Sequence, residues 1–123
     1  MRLVPWIGVA VLGGAAVLAG EARAQASRFN GTWSVEVVTE RGACDRAYRY
    51  SIIVENGRVR YGGQEAFTVT GRVQPNGAVR GSIARGQDRA DVSGRLAGRT
   101  GAGTWVTSGS RSCGGTWNAE KRG

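Results

Sequence analysis

Histidine is absent from this chain, and that absence removes more chemistry than any other feature of its composition. Without imidazole there is no Ser-His-Asp triad and no Cys-His pair, and the commonest metal ligand is missing. Lys121 is the only lysine and lies at the tail, a poor place for a desolvated base. Carboxylates are scarce, with 9 Asp and Glu against 17 Lys and Arg. Glu55 with Arg58, and Arg85 with Asp88, bracket two turns and read as solvated pairs contributing at most about 1 kcal/mol each. A glycosidase-type pair needs two carboxyls facing each other across a cleft, and the alternation of residues points Asp91 outward. No catalytic residue, metal or cofactor is therefore expected. The glycine-rich stretch Gly98–Gly103 lacks the strand–GxxxxGK[ST]–helix context of a phosphate loop and reads as a turn.

Long hydrophobic runs are confined to the beginning. Met1-Arg2 gives a positive start, Leu3 to Ala19 is uncharged and mostly apolar, and two A-x-A sites follow at 22–24 and 24–26. That layout predicts a secretory signal peptide over residues 1–26, cleaved after Ala24 or Ala26, and a single domain over 27–123. An uncleaved anchor is the competing reading, but Pro5, Gly8, Gly13 and Gly14 interrupt a run already short for a span. No membrane span is expected after cleavage, and the expected location is periplasmic or secreted. The formal net charge of +8 falls by one when Arg2, Arg23 and Glu21 are removed, so the domain stays strongly basic and favours acidic partners.

Cysteine is equally sparse. Cys44 and Cys113 suit one structural disulfide in an oxidising compartment. Closing so long a loop could stabilise the fold by about 4 kcal/mol in the chain-entropy model.

What is abundant is glycine, 21 residues, set in a pattern of period two with no helical stretch. Eight strands are expected, at 31–39, 46–54, 58–61, 66–74, 78–85, 89–97, 102–107 and 113–120. Turn chemistry fixes their register. Asn56-Gly57 suits a type I′ hairpin and sets Val54 opposite Val59 and Ile52 opposite Tyr61. Pro75-Asn76-Gly77 suits a three-residue loop and sets Val73 opposite Val79, and Arg72 opposite Arg80. Gly86-Gln87 suits a II′ turn and sets Ile83 opposite Ala90. One face stays apolar throughout, whereas a slip of one residue would turn a strand inside out.

The triplet Gly-Thr-Trp occurs at 31–33, 103–105 and 115–117. Alternation puts glycine and tryptophan on one face and threonine on the other. Mid-strand glycines at 71, 81 and 94 share the inner face with aliphatic residues and leave room for a neighbour's ring. If the first and last of eight alternating strands are joined by Cys44–Cys113, the sheet must close, because an open sheet would hold the two cysteines too far apart. The expected fold is all-β, an up-and-down barrel of about eight strands closed by one disulfide, with a β-sandwich as the alternative. Trp33, Trp105 and Trp117 would then meet along the seam and seal it.

A first strand carrying G-x-W, followed by a meander of V-[TS]-G-x-aliphatic strands, resembles the lipocalin–avidin (calycin) class of small barrels. The N-G-T-W opening and C-G-G-T-W ending are similar to those of small exported proteins of proteobacteria. Secreted metalloprotease inhibitors of Gram-negative bacteria share the G-x-W strand, barrel and single disulfide at the level of architecture. The likeness implies a barrel and an exported location, and carries no functional residues across.

Three function classes follow. Inward Trp33, Tyr48, Tyr50, Phe67, Trp105 and Trp117 either fill the core or line a site for a small hydrophobic ligand. Outward Arg58, Arg60, Arg72, Arg80 and Arg95 form a wall that could bind an acidic polymer or envelope component, or else a plain solvated face; the lack of outward aromatics argues against a single-strand nucleic-acid platform. The loops Glu40–Asp45 and Ser108–Ser112, beside the disulfide, could contact a secreted enzyme such as a protease or lysozyme. The leading expectation is an exported, non-catalytic binding protein that uses the arginine face or the barrel mouth.

Overall fold

A computed structural model describes residues 27–64, 66–108 and 112–123. The expected signal peptide, and residues 109–111 of the second loop, lie outside the described residues. Eight strands follow one another: β1 Gly31–Arg41, β2 Ala47–Glu55, β3 Arg58–Tyr61, β4 Thr68–Val73, β5 Ala78–Arg85, β6 Asp88–Ala97, β7 Thr100–Ser108 and β8 Gly114–Lys121. Each pairs antiparallel with the next, and β8 returns to β1, so the sheet is a closed barrel. The expected ends are right to within two residues.

The hairpins hold the register that their turn residues dictate. Asn56 and Gly57 have φ of 50° and 83°, the left-handed pair a type I′ turn requires, and Val54 faces Val59. Gly77, at φ 93°, closes the Pro75 loop and leaves Val73 opposite Val79 and Arg72 opposite Arg80. Ile83 faces Ala90 across the Gly86 turn. Cys44 and Cys113 are joined, with Cα atoms 6.2 Å apart. Closure leaves no edge strand exposed.

The three triplet tryptophans do not do one job, contrary to the expectation that all seal the seam. Trp117 turns across β7, where Gly103 lies beside it in register and Gly94 beside Gly103. Its Nε1 donates to Ser93 O at 3.0 Å. A methyl group on Gly103 would strike Ser93 O and Trp117 Nε1, so the glycines are the shelf on which the indole lies. Trp105 turns the other way, over Gly115 of β8, and donates to Val38 O of β1 at 3.0 Å and Thr116 O at 3.1 Å. Of the three indoles, only that of Trp105 donates across the β8–β1 seam, close to the register shift between Thr39 and Arg41.

Trp33 belongs to one end of the barrel. Its Nε1 donates to Phe29 O at 2.9 Å. Phe29 precedes β1 in a single turn (Asn30 N to Ser27 O, 3.0 Å), is fully buried, and plugs the barrel. Arg28 Nη2 donates to Pro75 O at 3.0 Å, and Asn56 N donates to Asn30 Oδ1 at 2.7 Å, so the plug is tied to two hairpins. Below the middle of the barrel, Ile52, Val54, Val73, Leu96 and Ala119 complete the buried core.

The surface ion pairs correct one expectation. Glu55 faces Arg58 in the ladder, yet its carboxylate binds Arg60 at 3.1 Å, because side chains two apart on one strand share a face. Arg85 does face Asp88, but its guanidinium stands over the Phe67 ring, 5.5 Å from the centroid.

Candidate ligand site at the open end of the barrel

The two ends of the barrel are built differently. At the end closed by Phe29 the hairpins are tight. At the opposite end the chain passes through longer connections, β1–β2 carrying Cys44 and β3–β4 carrying Phe67, with only Gly86-Gln87 as a tight turn. A cleft of about 720 Å³ opens there, lined by Asp45, Tyr48, Tyr50, Phe67, Arg85 and Trp105 among others. Its floor is a layer of Val35, Ile83, Val92 and Trp117, which also lines a second, mainly apolar pocket of about 80 Å³. Ligand clefts commonly measure about 300–1,000 Å³.

Period-two alternation puts Tyr48 and Tyr50 of β2 on the inner face, opposite Val37 and Val35. Phe67 enters from the β3–β4 connection and Tyr61 from the end of β3. The rings pack edge to face: Tyr50–Phe67 centroids are 5.3 Å apart, Tyr61–Phe67 5.5 Å and Tyr48–Phe67 5.9 Å. Tyr48 and Tyr50 are tilted against each other at 4.6 Å. Such pairs contribute about 0.5–1.5 kcal/mol beyond their buried area. Although they point inward, all four rings are only half-buried, because the mouth above them is open.

Polar groups ring this cluster. Arg85 caps Phe67 from the β5–β6 hairpin, and Asp45 enters from the β1–β2 loop. Burial pushes the Tyr50 phenol above its ordinary value, with Tyr48 and the Asp45 carboxylate adding to the rise and Arg85 opposing it. Tyr50 therefore remains a neutral hydrogen-bond donor at physiological pH. Neither the Tyr48 nor the Tyr50 hydroxyl has a hydrogen-bond partner among the described residues.

The six inward aromatics singled out from the sequence thus divide. Tyr48, Tyr50 and Phe67 come together at the mouth, Trp105 lies on its wall and Trp117 in its floor, while Trp33 is 1% exposed in the plugged half. Arg85 and Asp45 complete the mouth, and Tyr61 packs against Tyr50 and Phe67 behind it; none of the three was expected beside these aromatics. Tyr61 was accessible to sequence reasoning, since its pairing with Ile52 puts it on the inner face. Arg85 and Asp45 had no such signal, because charged residues at strand ends read as solvated. Among the described residues no group of three metal-ligating side chains occurs.

The arginines singled out for the outer wall also divide. Arg58 faces Arg72 and Arg72 faces Arg80 across adjacent strands, whereas Arg60 is engaged by Glu55 and Arg95 stands opposite Ala78. No family model, curated protein or solved structure matches this chain.

Proposed function

We propose that the protein is an exported, non-catalytic binding module that takes a small, ring-bearing ligand into the open mouth of its barrel. The observation that carries this reading is the set of three inward aromatic rings, Tyr48, Tyr50 and Phe67, left half-buried around a cleft of about 720 Å³, with Tyr61 packed behind them. A ring used only to fill a core would be covered, as Trp33 and Phe29 are. The mouth offers edge-to-face partners for a flat apolar ligand, two phenol hydroxyls for its polar atoms and one guanidinium for an acidic group. The Cys44–Cys113 bridge, whose Cys44 lines the cleft, holds the rim in place and suits an oxidising compartment such as the periplasm or the extracellular space.

The test is a fluorescence titration with anilinonaphthalene sulfonate, a flat aromatic anion of fitting size. Saturable one-to-one binding is expected, weakened about three- to tenfold by Tyr50→Ala or Phe67→Ala. A linear, non-saturating response, or binding by both variants as tight as that of the parent, would refute the mouth as a ligand site.

A further inference from the structure

The outer wall carries a second feature, built from different residues. Following lateral partners around the barrel from β3, the outward positions are Arg58, Arg72, Arg80, Ser93, Thr104 and Thr116. Three guanidiniums are thus followed, in unbroken cross-strand register, by three hydroxyls. With strands about 4.8 Å apart, the belt spans five intervals, or about 24 Å, at right angles to the strands.

The arginine half is costly where it stands. Like charges directly opposite on neighbouring strands are destabilising, and this belt contains two such contacts in succession. Elsewhere on the surface the carboxylates sit on other arginines: Glu36 on Arg49, Glu55 on Arg60, Asp91 on Arg89 and Glu120 on Arg122, all within 3.0–3.2 Å. Glu55 even bypasses Arg58, its partner in the ladder. Among the described residues no carboxylate pairs with Arg58, Arg72 or Arg80, and these residues leave the charge of the row uncompensated.

The wall is also grooved. A depression of about 890 Å³ runs over the outer face past Thr70, Arg80, Ser82, Ser93 and Thr104, with Arg41, Glu40 and the Arg89–Asp91 ion pair also on its walls. The belt therefore passes from the exposed arginine row into a trough that carries hydroxyls, with the Asp91 carboxylate already engaged by Arg89, a shape that suits an extended chain better than a flat membrane. Among the described residues Val106 is the one large apolar side chain exposed to a marked degree, at 50%, so they give the wall no apolar anchor cluster for lipid. Among the described residues it has no aromatic ring for stacking bases, on which single-stranded nucleic-acid binding depends. Guanidiniums that grip carboxylates as a fork, next to hydroxyls that exchange hydrogen bonds with sugar hydroxyls, match one polymer class.

We infer that this belt is a binding site for a linear anionic polysaccharide of the polyuronate kind, lying across the strands with its carboxylates on Arg58, Arg72 and Arg80 and its hydroxyls along Ser93, Thr104 and Thr116. The site is separate from the mouth and does not depend on it.

The experiment measures binding of the purified protein to immobilised alginate, with neutral dextran and oligothymidylate as parallel surfaces. Saturable, salt-sensitive binding to alginate is expected, with none to dextran. Arg72→Glu/Arg80→Glu should weaken it at least tenfold, whereas Arg46→Glu/Arg122→Glu, with the same change in net charge, should weaken it less than threefold. Ser93→Ala/Thr104→Ala should weaken alginate binding about threefold and leave the salt dependence unchanged. Anilinonaphthalene sulfonate binding and the melting temperature, followed in parallel, establish that each variant is folded, with Arg72→Gln/Arg80→Gln as the milder substitute. Equal losses in the two charge-reversal pairs would reduce the effect to net charge and overturn the site. Tighter binding to oligothymidylate than to alginate would overturn the polysaccharide assignment.

Discussion

The two ends of the barrel contain the same inward alternation but use it differently. At the plugged end the strands leave through tight hairpins, Phe29 folds under them, and their backbone groups find one another: Val73 N donates to Gly57 O, Leu96 N to Gly77 O and Thr32 N to Gly123 O, each at 2.8 Å. Trp33 and Phe29 are almost completely covered. At the open end the connections lengthen, Tyr48, Tyr50, Tyr61 and Phe67 remain half-buried, and a covalent bridge holds the rim where packing does not. Packing at the first end supplies stability, and the second keeps apolar area that a ligand can still bury.

The comparison breaks first at the plug. Trp33→Ala removes a buried indole and its bond to Phe29 O, and the expected cost is about 3–5 kcal/mol, read by urea denaturation. Tyr48→Ala, which truncates a half-covered ring in two aromatic pairs, should cost less, about 1–3 kcal/mol. If the two variants are equally destabilised, the ends do not differ as described.

The bridge comes next. Replacing Cys44 and Cys113 by serine should lower stability by about 2–4 kcal/mol. Because the bridge ties the β1–β2 loop to the start of β8, hydrogen exchange should rise mainly in residues 42–48 and 112–115, with the Phe29 end still protected. Uniform loss of protection would mean that the rim is not a separable unit. A smaller effect is expected at the tryptophan shelf. Gly103→Ala puts a methyl group against Ser93 O and the Trp117 ring, and overpacking of this kind costs about 1–3 kcal/mol. Trp117 fluorescence should shift as its ring moves, and an unchanged spectrum would argue against the shelf.

How much of this was legible beforehand depended on where chemistry is local. Asn56-Gly57, Pro75-Asn76-Gly77 and Gly86-Gln87 each restrict backbone torsion angles within a few residues, so three hairpins and their registers could be read directly. Closure was legible because the two cysteines fall at ends that an open sheet would hold apart, although a sandwich bridged by the same disulfide would also have met that condition. Alternation tells in from out but not near from far: it placed Tyr50 and Trp33 on one face without revealing that one lies at a mouth and the other at a plug. That distinction rests on Phe29, outside any strand, and on the length of the β3–β4 connection. Likewise, the direction in which each indole turns is a matter of which neighbouring strand offers a glycine. The Glu55–Arg60 pair follows from side-chain reach, and facing positions in the ladder did not predict it.

The smallest expected effect is the most specific to the open end. Burial raises the pKa of the Tyr50 phenol above the ordinary value of about 10. The neutral phenol is the form the folded state prefers, so its contribution to stability is fully present below the unfolded pKa and is lost as the pH rises through the folded one. Tyr50→Phe retains the ring and deletes the ionisable hydroxyl. In ultraviolet difference titration the variant should lack a late-ionising component seen in the parent, and its stability should fall less between neutral pH and strongly alkaline pH. At neutral pH it should bind anilinonaphthalene sulfonate within about twofold of the parent, because the edge-to-face contacts persist. If the late component remains in Tyr50→Phe, the buried phenol is elsewhere and the mouth is more open to water than its geometry implies.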